Sequence, residues 1–200
     1  MMNIAQIYKD ANALLEGHFK LSSGNFSKFY LQSAKVLEDP KTAKLLAEAL
    51  AVQIKESGIK VDAVCSPALG GLIAGFALAT ALDVRFIFAE RVDGQMTIRR
   101  GFEVQEGENY IICEDIITTG GSALEAAKQV ENAGGNITAY AALANRGFCS
   151  RVGSDLQAKE NCKLPLNKPL FALEDFTFQM YTPDECDFKD IAYKPGSRGN

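Results

Sequence analysis

The stretch NYIICEDIITTGGSA, residues 109–123, decides how the chain folds. It opens on an apolar run of strand length and ends in two adjacent carboxylates, Glu114 and Asp115. Ile116 and Ile117 follow, then Thr118, Thr119, Gly120, Gly121 and Ser122, and then SALEAAKQVENAG, which has helical spacing. In a strand, tight turn and helix of this kind, glycines let successive N–H groups point inward. The new helix adds its own unpaired N–H groups and the positive end of its dipole. Three hydroxyls supply further donors. These residues describe a cradle for a phosphate dianion that contains no lysine. Two acids facing that phosphate would repel it. They suit sugar hydroxyls, or a Mg²⁺ ion bridging substrate oxygens.

Working outward, the same unit recurs. VDAVCS is a short apolar strand, PALGG (residues 67–71) a glycine-bearing loop and LIAGFALATAL an apolar helix. VRFIFAE and NITAYAALAN read as further strands. Short apolar strands alternating with helices imply an α/β fold, a central parallel sheet covered on both faces. Ligands in such sheets bind at the carboxyl ends of the strands. The loops at 66–71, 90–101, 115–122 and 145–147 are therefore the expected site. Upstream, the spacing from Ile4 to Leu15 predicts a helix ended by Gly17, with His18 at its end in a structural role. Residues 28–36 read as extended, and Asp39-Pro40 offers an N-cap and first-turn proline for a helix ended by Gly58. The last fifty residues, with strand-like LFALEDFTF and the polar tail KPGSRGN, read as an addition to the same domain.

The 200 residues fit one domain, and 47% hydrophobic with 23% charged residues is the balance of a chain with a real core. A net charge of −4 argues against nucleic acid as a partner. No apolar run reaches the ~18 residues of a membrane helix, and the N-terminus does not read as a signal peptide. Five cysteines, Cys65, Cys113, Cys149, Cys162 and Cys186, lack C-x-x-C spacing, and the single histidine, His18, sits far from all of them, whereas a zinc site needs tighter ligand spacing. Cys65 and Cys113 read as buried small hydrophobes. Reduced thiols and a cytoplasmic location are the expectation.

The segment 109–123 resembles the phosphoribosyl pyrophosphate (PRPP) signature of the type I phosphoribosyltransferases. Three passages narrow the resemblance to orotate phosphoribosyltransferases. GHFKLSSGNFSKFYLQ (residues 17–32) is similar to their N-terminal hood, RVDGQMTIRRGF (residues 91–102) to the mobile loop of one branch, and ALANRG places Arg146 where the family sets an arginine on orotate. The likeness covers about residues 14–148 and implies one phosphoribosyltransferase domain over residues 1–200, with a small hood from about 1–36 plus the C-terminal segment.

The resemblance implies transfer of ribose 5-phosphate from PRPP to orotate with Mg²⁺ bound through the substrate, in a homodimer with shared active sites. Glu114 and Asp115 would meet the ribose hydroxyls. Residues from Ile116 and Ile117 through Thr118, Thr119, Gly120, Gly121 and Ser122 would hold PRPP, with Thr118 also near the base. Arg91, Arg99 and Arg100 would meet pyrophosphate, residues 67–71 would offer it backbone N–H groups, and Arg146 would pair with orotate. Where many bacterial members carry lysine in the hood and in the first glycine loop, this chain has Ser22 and Gly70. A purine phosphoribosyltransferase shares the signature, and a non-catalytic PRPP-binding regulator would keep the fold.

Overall fold

Strands that are apolar on both faces need cover on each side, and this chain supplies it with helices between the strands. The computed structural model describes residues 2–21 and 24–190. In chain order the elements are α1 (Ile4–Asp10), β1 (Leu14–Lys20), β2 (Phe26–Leu31), α2 (Ser33–Leu37), α3 (Pro40–Glu56), β3 (Ala63–Pro67), α4 (Gly71–Leu82) and β4 (Arg85–Val92). Then come β5 (Gln95–Ile98), β6 (Asn109–Ile117), α5 (Gly121–Asn132), β7 (Asn136–Asn145), β8 (Ser150–Val152), β9 (Asp155–Gln157), β10 (Leu170–Asp175) and β11 (Met180–Tyr181). They divide between two compact units. One comprises the residues up to Val36 and those from Thr177 onward, the other the residues from Leu37 to Phe176.

The larger unit holds a six-stranded sheet in the order β10-β7-β6-β3-β4-β5. Its first five strands are parallel, as the α/β reading expects, and β5 runs antiparallel to β4 at the edge. Strand alternation sorts the two faces. Ala63 and Cys65 of β3 and Tyr110 and Ile112 of β6 join Ala123, Ala126, Ala127 and Val130 of α5 in one buried cluster. The intervening residues turn to the face where α4 lies. There a side chain on Gly75 would collide with Ser66, and one on Gly71 would stand 2.9 Å from the Cys113 carbonyl oxygen. Helix α3 packs beside α4 and against β10. Its N-cap Asp39 accepts bonds from the Lys41 and Thr42 N–H groups at 3.3 and 3.0 Å, an arrangement worth about 1 kcal/mol.

The smaller unit contains α1 and the antiparallel sheet β1-β2-β11. Here the structure corrects two expectations. The helix predicted to run to Gly17 ends at Asp10, because Asn12 turns the chain at a φ of +52° and residues 14–20 pair with β2. Helical spacing among Ile4, Ile7, Tyr8 and Ala11 was real, but Leu15 belongs to a strand. His18 accordingly sits in β1, its ring 4.7 Å from that of Phe188. The extended segment expected over 28–36 stops at Leu31 and gives way to the short helix α2. Ser22 and the tail KPGSRGN lie outside the described residues.

Two further expectations change in the larger unit. The stretch 91–102, read as a long loop, is mostly a β-hairpin. β4 and β5 pair from Ala89↔Ile98 to Val92↔Gln95 around Asp93-Gly94, both at positive φ. Asp-Gly is a strong hairpin signal, since a two-residue turn of the right twist needs positive φ at both positions. The cysteines also differ from the expected set of reduced thiols. Cys149 and Cys162 form a disulfide, brought to a Cα–Cα distance of 4.7 Å by the β8–β9 hairpin between them. Compartment arguments describe average redox conditions, whereas this pair is set by local chain return. Cys65 and Cys113 are fully buried among apolar residues, and burial pushes the Cys65 thiol up to about 12. Protein purified without reductant and then unfolded should take up three alkylating groups, and five after reduction. Intact-mass measurement reads the count; five before reduction would remove the disulfide.

Candidate active site

Strand β6 lies in the middle of the sheet, so its carboxyl end opens between its two neighbours rather than at an edge. Glu114 and Asp115 emerge there. The β3–α4 turn comes close to them: a Cβ on Gly70 would lie 3.0 Å from Asp115 Oδ1, and one on Gly71 3.4 Å from Glu114 Oε2. The Ala68 N–H donates to the Ala89 carbonyl at 2.7 Å and ties that turn to β4. The sheet thus brings residues 67–71 and 114–115 together, although more than forty positions separate them in sequence.

Past Ile117 the chain turns through Thr118 and Thr119 into Gly120, whose φ of +79° is the left-handed conformation that glycine adopts without strain. No side chain caps α5, and its first turn holds no acidic residue. Its leading N–H groups therefore remain available to an anion at the positive end of the helix dipole. Just past the neighbouring strand β7, the Arg146 N–H donates to the Ile117 carbonyl at 2.8 Å, and Arg146 itself is buried to 9% exposure. Asn145 fixes this turn: its Nδ2 donates to the Cys149 carbonyl at 2.6 Å and to Asp175 Oδ1 at 2.7 Å. The sequence reading had no role for Asn145, although a polar residue closing an apolar strand was a visible signal.

The expected arginines are held differently. Arg100 makes a two-point bond to Glu90 at 2.7 and 2.9 Å, and Arg99 approaches the same carboxylate at 3.5 Å. Arg91 pairs with Glu125 of α5 at 2.7 Å. All three are on the β4–β5 hairpin or just beyond it, engaged with carboxylates of their own chain other than Glu114 and Asp115. Glu90 and Glu125, which organise them, were absent from the sequence reading.

Electrostatically the site is tense. Burial raises the Glu114 carboxyl well above its usual range, and the neighbouring Asp115 charge raises it further. Burial also raises Asp115, partly offset by the N–H groups of Ile116 and Asp115 itself. Both groups bind protons more tightly in the folded than in the unfolded chain. Their stabilising contribution is thus complete below the ordinary values of 4.5 and 3.8 and is lost as pH rises through the raised folded values. Glu114→Gln should therefore melt higher than the parent at pH 8 without ligand, and the gap should close toward pH 4. Scanning calorimetry at both pH values checks this; a gap independent of pH would mean that no buried charge is responsible.

Residues 33–155 match the family model of the phosphoribosyl transferase domain, and the chain belongs to that family. Within it, the chain is 70% identical to an orotate phosphoribosyltransferase of Sulfurimonas denitrificans, covering all of both chains. It is 63% identical to that of Wolinella succinogenes, covering all of this chain and 98% of the relative. In fold it is similar to the crystal structure of orotate phosphoribosyltransferase from Aeropyrum pernix, with a TM-score of 0.67 at 21% identity over 86% of this chain and 93% of the other. An adenine phosphoribosyltransferase from Thermoanaerobacter pseudethanolicus scores 0.66 at 20% identity, over 87% of this chain and all of the other. The backbone is shared by enzymes for different bases.

Proposed function

We propose that the chain joins ribose 5-phosphate from PRPP to orotate, releasing pyrophosphate and forming orotidine 5′-monophosphate in the de novo synthesis of pyrimidine nucleotides. The observation that carries this reading is a sugar-phosphate site in two parts. The carboxylates Glu114 and Asp115 stand against Gly70 and Gly71, the uncapped start of α5 follows a few residues further along, and Arg146 is bonded to Ile117 between them. Thr118, Thr119, Gly120, Gly121 and Ser122 hold the 5-phosphate through N–H and hydroxyl donors, with Ile116 and Ile117 lining the approach. Glu114 and Asp115 accept hydrogen bonds from the ribose hydroxyls. Their negative charge stabilises the positive character that the ribose ring gains as pyrophosphate departs. Arg146 pairs with the orotate carboxylate, and Thr118 borders the base. A ring nitrogen of orotate attacks the anomeric carbon in line with the leaving oxygen, so catalysis rests on positioning and charge stabilisation. The reading takes residues 1–200 as one phosphoribosyltransferase domain.

Among the described residues no three histidine, cysteine, aspartate or glutamate side chains converge to hold a metal. Two partly buried carboxylates fit Mg²⁺ nevertheless, because this ion keeps water and substrate phosphates in its shell and needs few protein oxygens. Bound through PRPP, Mg²⁺ would neutralise charge on the departing pyrophosphate. Residues 67–71 offer backbone N–H groups to the same anion.

A homodimer with shared sites completes the reading. Leu69, Ile73 and Phe76 leave an apolar stripe 82%, 52% and 62% exposed at the start of α4, the kind of surface that a second copy covers. Arg91, Arg99 and Arg100 then exchange their carboxylate partners for pyrophosphate in the neighbouring site. No described helix is long and apolar enough to cross a membrane. The net charge of −4 leaves nucleic acid without an attractive surface overall. The reading places the enzyme in the cytoplasm, where phosphorylated metabolites are retained and reductants can open the Cys149–Cys162 link.

Pyrophosphate release with PRPP, Mg²⁺ and each of orotate, uracil, adenine, hypoxanthine and xanthine tests the substrate; turnover of a purine but not orotate overturns it. Arg146→Ala should lower kcat/KM for orotate by about 10- to 100-fold, the worth of one charge-assisted hydrogen bond, and leave PRPP affinity nearly unchanged. Equal losses for both substrates would make the arginine structural. For the dimer, chains with Asp115→Asn are refolded together with chains in which Arg99 and Arg100 are both alanine. Hybrid dimers with loops acting across the interface should return roughly a quarter of parental activity, since half the dimers are hybrid and each has one intact site. If each loop serves its own chain, no activity returns.

A further inference from the structure

Residues 162–164 lie directly against the phosphate turn. The Lys163 N–H donates to the Thr119 carbonyl at 2.8 Å, and the Cys149 Sγ, bonded to Cys162, lies 3.7 Å from the same oxygen. Leu164 is buried beneath Gly120, where a Cβ would stand 2.5 Å from the leucine Cγ. Two consecutive residues, Lys163 and Leu164, thus lie against Thr119, Gly120 and Gly121, and the first is a lysine. Its side chain runs over the first residue of α5: a Cβ on Gly121 would lie 3.6 Å from Lys163 Cδ and 3.7 Å from Nζ. Among the described residues no carboxylate pairs with that ammonium. Glu125, the nearest acid along α5, is taken by Arg91.

A cation at a helix N-terminus faces the positive end of the dipole and is disfavoured there. The segment nevertheless holds the Lys163 backbone in that place by its bond to Thr119 and by the buried Leu164. The arrangement becomes favourable when a dianion sits between the ammonium and the N–H groups. We propose that Lys163 is a further substrate-binding residue, its ammonium closing the cradle of residues 118–122 over the 5-phosphate of PRPP and of the nucleotide product. This rests on the reading of 118–122 as the phosphate site. It supplies the lysine that the sequence of that turn lacks, from a segment more than forty positions downstream.

Lys163→Met keeps most of the stem and removes the charge; Lys163→Arg restores a cation. Calorimetry with ribose 5-phosphate, orotidine 5′-monophosphate and orotidine, which carries no phosphate, reads the effect. The methionine variant should bind both phosphorylated ligands about 10- to 100-fold more weakly, with orotidine unchanged and the arginine variant close to the parent. Without ligand, its melting temperature should equal or exceed the parent's, because a cation has left the helix N-terminus. Unchanged affinity for the phosphorylated ligands would overturn the proposal. So would an equal loss for orotidine, or a lowered melting temperature with no rescue by arginine, either of which marks a structural lysine. If the parent protein itself ignores ribose 5-phosphate and PRPP, the phosphate site is misread. If it turns over orotate and the methionine variant binds normally, Lys163 alone is misassigned.

Discussion

Glu114 and Asp115 are carried to their place by a strand in the middle of the sheet, and desolvation there works against both charges. The surrounding structure answers that constraint. Glycine occupies both facing positions of the β3–α4 turn, since any side chain at Gly70 or Gly71 would press on Asp115, Glu114 or the Cys113 carbonyl. The room so kept is open to ligand atoms, and on the proposed reading hydroxyl donors or a cation there would relieve the repulsion between the acids. The protein carries an electrostatic cost at these two carboxylates, and perturbed groups of this kind cluster at functional sites.

The positive side of the site is built mainly from backbone. An uncapped helix start after a left-handed glycine presents N–H groups in a fixed direction, with no long side chain to be ordered on binding. Such a cradle needs rigid support from below. The segment after β7 gives it: Asn145 bridges the Cys149 carbonyl and Asp175, Arg151 pairs with Asp175 at 2.8 Å, and Leu164 fills the space under Gly120. This part of the chain carries no recognisable signature, yet the β6–α5 turn rests on it.

The cations of the β4–β5 hairpin show the opposite strategy. Arg91, Arg99 and Arg100 are exposed and held by single carboxylates, interactions worth little in water. An anion of higher charge can displace such partners at small cost. On the proposed reading, the fixed donors of the α5 turn and the exchangeable cations of the hairpin would divide the two phosphate-bearing ends of PRPP between a rigid and an adaptable element.

Sequence alone determined the sheet units, because apolar runs of strand length, glycine turns and helical spacing are local and each is written within about thirty residues. It also set which donors and acceptors residues 114–122 can offer, since carboxylates, hydroxyls and glycines occur there in one unbroken string. The β4–β5 hairpin was legible in Asp93-Gly94 and was passed over because its charged, polar residues read as a loop. Helical spacing near the N-terminus misled beyond Asp10, where pairing with β2 outweighed it. Tertiary structure alone decided which distant residues meet. Parallel strands set β3 beside β6, so that Gly70 faces Asp115; the β8–β9 hairpin returned Cys162 to Cys149; and Lys163 came to rest on Gly121. Such pairings depend on backbone hydrogen bonds and packing between segments far apart in the chain, and residue identity at either end specifies neither partner.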